Sequence, residues 1–597
     1  MHTTATGTGM KKGTRSVRSA SARAAALSAR GRTIAGVKAL TARGRLVAAA
    51  ACLVGFICCF LPAAVLTGAV PLVNSIGKKM PPDAAPLDQQ VFRYTLVEPL
   101  TFDVSINIYE GQGALTLFER LVMLDKNLEL VGAAASSWEQ SADGLRWTFK
   151  LRPDGKWSDG RTVTAHDFEY TYKRFLDPAV ASPYAFFYYE IKGARPFNQG
   201  SVTDPSTVGV RALDDFTLEI ETEKPCPYLP FIVAFTGSGP VPRWQVEKHG
   251  VRWSEAGNLV ANASYTLSEW QKGRQATLAL NPYYTGPHKG FLEKIVQIFT
   301  TGHPGTPPYE NDEIDYLRVL LTDLPFIENH PTLKSELSYY AFPETWYLFF
   351  KTSESPFDDV RVRRAISHAI DREVLCNVVL RNTGVPAYSM LPPNFPGSAD
   401  ASIGSVQAYD PDRARALMAE AGYPGGKGFP TIDFWIGKTN PQISYTAQAV
   451  QAMLANTLGL RLRMRGSEDK VYRDNMYEWN IPMGLGGFNA DYPDPNNLLG
   501  MVWRSQPRGF GRQDWRNDDF DRLIDAAAHE MDHDNRMGMY RDAERLLVED
   551  VGGAFLYHNL TVDLRKPYLK GLEVNKFGYA MFSWIGIMHT KMYIARH

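Results

Sequence analysis

Cysteine is scarce. Of five in 597 residues, Cys52, Cys58 and Cys59 stand inside one apolar run near the amino terminus, which leaves Cys226 and Cys376 for everything else. Two cysteines make no disulfide framework, and a chain of this length needs none. Burial as small apolar side chains is the expectation, with a single bridge between them as the alternative. Acid is missing from residues 1–82, which hold 12 Lys and Arg; the first carboxylate is Asp83. The formal net charge of zero therefore conceals a body with 52 basic against 64 acidic residues. A body that acidic lacks the basic surface needed for phosphate contacts, so nucleic acid is not an expected partner. Repeats, low-complexity blocks and a second long apolar run are also absent. That excludes a solenoid, a disordered tail protein and a polytopic membrane protein.

The amino terminus reads as an address. Residues 1–45 form a basic, Ala- and Ser-rich leader containing Lys11, Lys12, Arg15, Arg18 and Arg23, and residues 46–73 follow without a charge. A positive flank before an apolar stretch is the order of a secretory signal. The run is also long enough to span about 30 Å of bilayer, so an uncleaved anchor is the alternative. Either way the basic side stays in the cytoplasm and the body is exported. Cys52 follows too short an apolar run for lipid attachment, and Ile57 and Cys58 do not supply the small residues that such a signal needs.

The body reads as α/β. Leu145, Trp147, Phe149 and Leu151 alternate with Arg146, Thr148, Lys150 and Arg152, the period of a strand with one buried face. Pro153-Asp154-Gly155 and Ser158-Asp159-Gly160 are turn chemistry. Thr164 and Asp167 form a capping box for a helix through Phe175. Asp410 caps a helix beginning at Pro411 and ending before Gly422, and Asp358 and Asp359 precede a helical run from Val360 to Ile370. Strands alternating with helices predict α/β domains that share interfaces.

Catalytic motifs are few and incomplete. His529-Glu530-Met531-Asp532-His533 fits H-E-x-x-H, in which two histidines one helical turn apart bind zinc and the glutamate activates water. Glu544 or Glu549 would supply a third ligand, making a zinc hydrolase the enzyme alternative. Against it, Asp532, His533, Asp534 and Asn535 read as a helix end followed by the next cap. Ser467-Glu468-Asp469-Lys470 lacks the companion motifs of an S-x-x-K enzyme. Gly425-Gly426-Lys427-Gly428 fails the phosphate-loop spacing and reads as a turn. No metal or cofactor site is predicted.

The stretch Trp157 to Phe168 (W-S-D-G-R-T-V-T-A-H-D-F) resembles the signature of family 5 extracellular solute-binding proteins, the peptide- and nickel-type receptors of ABC importers. Ala181-Ser182-Pro183-Tyr184, Asn281-Pro282, Glu313-Ile314-Asp315, Ser355 to Arg363 and Leu417 to Tyr423 extend the likeness in order, from about Val91 to the carboxyl end. In the third of these, Asp312 replaces a usual glycine. The resemblance implies a periplasmic-binding-protein type II fold, with two lobes around a ligand cleft and an extra third domain. Lobe I would comprise residues 83–118, 242–343 and 560–597, the extra domain II 119–241, and lobe III 344–559. It further implies a monomeric, periplasmic or cell-envelope receptor that delivers peptides to an ABC transporter permease. The same fold holding an oligosaccharide or another solute, or serving as a ligand sensor, is the alternative.

By the same resemblance, Phe488-Asn489-Ala490-Asp491-Tyr492 lines the cleft, with Asp491 on the ligand α-ammonium and Phe488, Asn489 and Tyr492 beside it. Glu110, in Tyr109-Glu110-Gly111, is a further candidate. Oligopeptide-type relatives carry arginines just before the acid, whereas no Lys or Arg stands between Asp474 and Trp503 here. That departure favours a longer peptide, or one not held by its carboxylate. The aromatic runs Tyr184–Tyr189 and Trp346–Phe350 read as core, with stacking on a ligand the alternative.

Overall fold

Trp147, Phe149 and Leu151 point inward from the strand Arg146–Leu151, as their alternation predicts. This strand pairs antiparallel with Ala135–Gln140 on one side and Thr217–Glu221 on the other, and Val210–Asp214 completes a four-stranded sheet. The helix Ala165–Leu176 packs on that sheet. Its capping box is present: Thr164 N–H donates to Asp167 at 2.8 Å. The computed structural model describes residues 71–106, 114, 116–398, 401–437, 441–572, 574 and 588–597. The chain divides into residues 1–68 and 69–597, and every element named here belongs to the second unit. The basic leader, the apolar run up to residue 70 and Glu110 lie outside the described residues. Among the described residues, no helix is long and apolar enough to cross a membrane.

The largest sheet has eleven strands among the described residues. At its centre Leu337–Phe350 and Gly553–Arg565 run antiparallel to each other and reach into both wings. On one wing Val91–Leu96 lies parallel to Lys294–Phe299 and to Tyr316–Arg318. On the other, Ile432–Gly437 lies parallel to Leu462–Ser467 and to Met483–Asn489. The ladder between the two central strands breaks between Ala341 and Thr345. Pro343 stands in that break, where it has no N–H to contribute. Ligands of open parallel sheets bind beyond the carboxyl ends of the strands, and Asn489 ends such a strand.

The aromatic run is placed by glycines opposite it. Trp346, Tyr347 and Phe349 pair with Gly487, Gly486 and Gly484. A Cβ on Gly486 would come within 2.9 Å of the Tyr347 ring, and one on Gly487 within 2.7 Å of Trp346. The small residues leave room for the large ones, and each fully buried Phe or Leu contributes roughly 1.5–3 kcal/mol. Leu348 and Phe350 join the core on one face of the sheet, Tyr347 and Phe349 the core on the other. The run is therefore core, as expected.

Other local expectations hold with small shifts. Asp410 accepts from Arg413 N–H at 2.8 Å and caps Pro411–Glu420. Asp359 caps Val360–His368, which stops two residues short of Ile370. Asp312 adopts φ 59°, the left-handed conformation that explains why glycine is usual at that position. Cys226 and Cys376 are free and buried. Residues 71–82, ahead of the expected start of lobe I, pack on the body: Asn74 Nδ2 donates to the Gly290 carbonyl at 2.8 Å and Met80 is buried.

Candidate functional site

Beyond Asn489 the chain leaves the sheet through Ala490, whose N–H donates to the Pro343 carbonyl at 2.8 Å. It then turns at Asp491-Tyr492-Pro493-Asp494-Pro495. Two side chains set the turn. Asn497 Oδ1 accepts from Asp491 N–H at 2.7 Å, while its Nδ2 approaches the Asp491 carboxylate at 3.3 Å. Asp494 accepts from Asn496 N–H at 2.9 Å. Asp494 also receives both terminal nitrogens of Arg536, at 2.6 and 2.7 Å, in a bidentate pair with about 5% of each side chain exposed. Arg536 lies in the helix His533–Glu549.

Four of the five sequence candidates thus occupy one stretch, but they differ in what they offer. Asn489 is exposed and pairs with Glu344 in the ladder. Phe488 is half-buried under the Arg512 guanidinium, 4.5 Å from the ring centroid. The Tyr492 ring is buried, stacked on Tyr228 at 6.2 Å and meeting Phe187 edge-on at 5.4 Å. With its hydroxyl on Asn496 Oδ1 at 3.3 Å and 2% of the residue exposed, Tyr492 is a core residue beneath the turn. Asp491 is half-buried, and burial pushes its pKa up to about 6. The Asn497 hydrogen bond, the charge of Arg512 and a hydrogen bond from the Tyr184 side chain oppose that rise. A carboxylate in this setting is stabilised by a cation brought to it.

The residues that meet this stretch come from far along the chain: Tyr184 and Phe187 from a run the sequence reads as core with ligand stacking as the alternative, and Tyr228, which the sequence did not single out. Tyr184, Phe187 and Tyr228 belong to the segment that carries the four-stranded sheet, so a different part of the protein supplies Tyr184 to Asp491 and Phe187 and Tyr228 to Tyr492. The run Tyr184–Tyr189 is mostly core, with Phe187 and Tyr188 buried, yet Tyr184 itself reaches the site. Glu344, on the central strand, accepts from Asn559 Nδ2 at 2.7 Å, and burial raises its pKa.

The H-E-x-x-H segment is divided between two helices. Asp518–His529 ends at His529, and His533 opens the next helix behind the cap Asp532, which accepts from Asn535 N–H at 2.9 Å. His529 Nδ1 lies 2.9 Å from the Pro225 carbonyl and His533 is exposed. Glu544 is buried and accepts from Leu391 N–H at 2.8 Å. Among the described residues, no group of three or more His, Cys, Asp or Glu is arranged to hold a metal ion. His529→Ala is therefore expected to leave ligand affinity unchanged and to cost about 1 kcal/mol of stability, one lost hydrogen bond. Calorimetry with a thermal melt checks this; lost binding in a folded variant would return the histidine to the site.

Lobes joined by paired central strands, a third segment bearing its own sheet, and a polar site beyond the strand ends define a type II periplasmic binding protein. The model of the bacterial extracellular solute-binding proteins, family 5, middle region, matches residues 129–510, and the chain belongs to that family. The periplasmic oligopeptide-binding protein OppA of Salmonella typhimurium is 30% identical over 473 residues, covering 77% of this chain and 85% of the relative. A probable deoxycholate-binding periplasmic protein, YgiS of Escherichia coli, is 29% identical over 520 residues, covering 85% and 95%. Among solved structures, the murein tripeptide binding protein MppA of Escherichia coli matches with TM-score 0.70 at 28% identity, over 85% of this chain and 99% of that one. Haemophilus influenzae OppA in complex with RPPGFSPFR matches with TM-score 0.68 at 25% identity, over 86% and 100%.

Proposed function

We propose that this protein is the extracytoplasmic peptide receptor of an ABC importer, a binding protein rather than an enzyme, acting as a monomer. The observation that carries the reading is Asp491. It is a half-buried carboxylate beyond a strand end, held by Asn497 and faced by Tyr184 from another part of the chain. A peptide amino terminus placed there offsets the desolvation of both charges, and a charge-assisted hydrogen bond contributes about 1.5–3 kcal/mol. Deoxycholate, the ligand in the name of one relative, carries no ammonium to pair with Asp491.

Lobe I (83–118, 242–343, 560–597) and lobe III (344–559) meet on the two central strands. Both boundaries fall beside the broken ladder at Pro343 and Asn559. Bending there closes the cleft, and domain II (119–241) brings Tyr184 to the ligand. Closure then reports occupancy to a membrane permease. The basic leader and apolar run export the body.

The test is mass spectrometry of the protein purified without denaturation, natively and then unfolded. A released ladder of peptides with free amino termini is expected. A single sugar-like mass would keep the fold and overturn the ligand; an empty protein that no peptide stabilises in a thermal-shift screen would do the same.

A further inference from the structure

The sequence places no cation between Asp474 and Trp503, yet the fold returns one to that place. Arg512 enters from the segment after Trp503 and lays its guanidinium on the Phe488 ring. It lies near enough to Tyr347, a residue paired with Gly486 in the ladder, to oppose the rise that burial imposes on that phenol's pKa. Its charge also acts on Tyr472, from the helix Asp469–Tyr477, and on Asp491. Three aromatic residues of lobe III thus surround a half-buried guanidinium beside the proposed ammonium site. Of its neighbours, Arg504 pairs with Asp525 at 2.6 Å and Arg508 with Glu478 at 3.1 Å, both at the surface, while the exposed Arg516 lies 5.5 Å from the Trp479 ring. Arg512 makes no ion pair among the described residues.

Resting on the peptide reading above, we propose that Arg512 is the anion acceptor of a side-chain subsite, and that it selects peptides with an acidic side chain near the amino terminus. A ligand carboxylate entering a closed cleft needs a cation to offset its desolvation, and the half-buried Arg512 guanidinium, without an ion pair of its own among the described residues, can supply it. Arginine on an aromatic face keeps its planar fork free for a bidentate carboxylate. Asp491 alone would repel an acidic side chain near the amino terminus; Arg512 reverses that sign. The receptor thereby reads a dipole, ammonium on Asp491 and carboxylate on Arg512, and has no need of the peptide's own carboxyl end.

Six pentapeptide amides with free amino termini test this, Glu or Gln at the first, second or third position of an otherwise alanine sequence. Amidation removes the terminal carboxylate. Calorimetry of the full protein is expected to show at least one Glu peptide binding about tenfold tighter than its Gln partner, about 1.4 kcal/mol. Arg512→Gln should erase that difference, read as the Glu-to-Gln affinity ratio within each pair, because the variant also removes a charge that acts on Asp491 for both peptides alike. Arg512→Lys should keep part of it. Equal affinities within all three pairs would overturn the subsite, as would an equal loss for Glu and Gln peptides in Arg512→Gln, the mark of a packing role on Phe488. Arg512→Met keeps that packing and guards against misfolding. If the Gln peptides bind and Asp491→Asn weakens them, the receptor reading stands whatever Arg512 does; if none of the six binds, both fall.

Discussion

Asp491→Asn is expected to weaken binding of a free-amino-terminus peptide about tenfold to a hundredfold, the loss of one charge-assisted contact. An amino-acetylated peptide should bind both proteins equally weakly. Unchanged calorimetric affinity for the free peptide in Asp491→Asn would end the anchor assignment. The pH dependence follows from the same carboxyl. Unliganded, it titrates at about 6 because burial disfavours its charge, and an ammonium ligand needs it ionised. Affinity should therefore fall as pH drops below about 6, by up to about tenfold per unit, and Asp491→Asn should flatten that profile.

Stability runs the other way. A carboxyl whose folded pKa lies above its unfolded value of about 3.9 favours the fold while protonated, and that contribution disappears as pH rises from about 4 through 6. Near neutrality the ionised Asp491 is a strain on the empty protein, of about 1–2 kcal/mol once its solvent access is allowed for. Asp491→Asn should accordingly melt slightly higher than the parent at pH 7 while binding worse, as sites built for ligands do. His558 acts with the opposite sign. It is buried, its Nδ1–H donates to Thr345 Oγ1 at 2.9 Å, and burial holds its pKa down at about 3. It supports the fold above its unfolded pKa of about 6.5, and that support drains away as pH falls from there toward 3. Melting curves in the same buffers separate acid loss of fold from acid loss of ligand.

Much of this was legible wherever the controlling interaction is local. The capping box at Thr164 and Asp167, the cap at Asp410 with Pro411 behind it, and the alternation through Phe149 all act within a few residues, so sequence order displays them. The interruption of H-E-x-x-H at Asp532 was visible for the same reason. Asp491 was singled out through a contiguous motif. Its surroundings were not, because Tyr184 and Arg512 act on it, and Arg536 on Asp494 beside it, only through the packing of separate elements. Nothing near Arg536 announces a partner 42 residues earlier in Asp494. The absence of Lys and Arg from Asp474 to Trp503 describes that window alone, and it could not announce Arg512, whose guanidinium reaches Phe488 from beyond it. Likewise the run Tyr184–Tyr189 gave no sign that Tyr184 would act on Asp491 and Phe187 would meet Tyr492.

Arg536→Ala should have the largest effect on stability. It leaves Asp494 buried without its counter-ion, which costs about 3–5 kcal/mol. Tyr228 and Tyr540 lie 5.3 and 5.1 Å from the guanidinium, so the variant also loses contacts on both sides of the charge. Because Asp494 accepts the Asn496 N–H that sets the turn after Asp491, the loop should loosen and peptide affinity should fall as well. The double variant Asp494→Leu/Arg536→Met separates the two effects. It removes both charges together, so most of the stability should return, since a buried pair is often no better than apolar side chains of similar size. Affinity should stay low, because the turn has still lost its acceptor. Denaturant midpoints read the first effect, compared as midpoints because a protein of several domains need not unfold in one step. Calorimetry reads the second. If the double variant binds as the parent does, the ion pair supports the fold and plays no part in aiming Asp491.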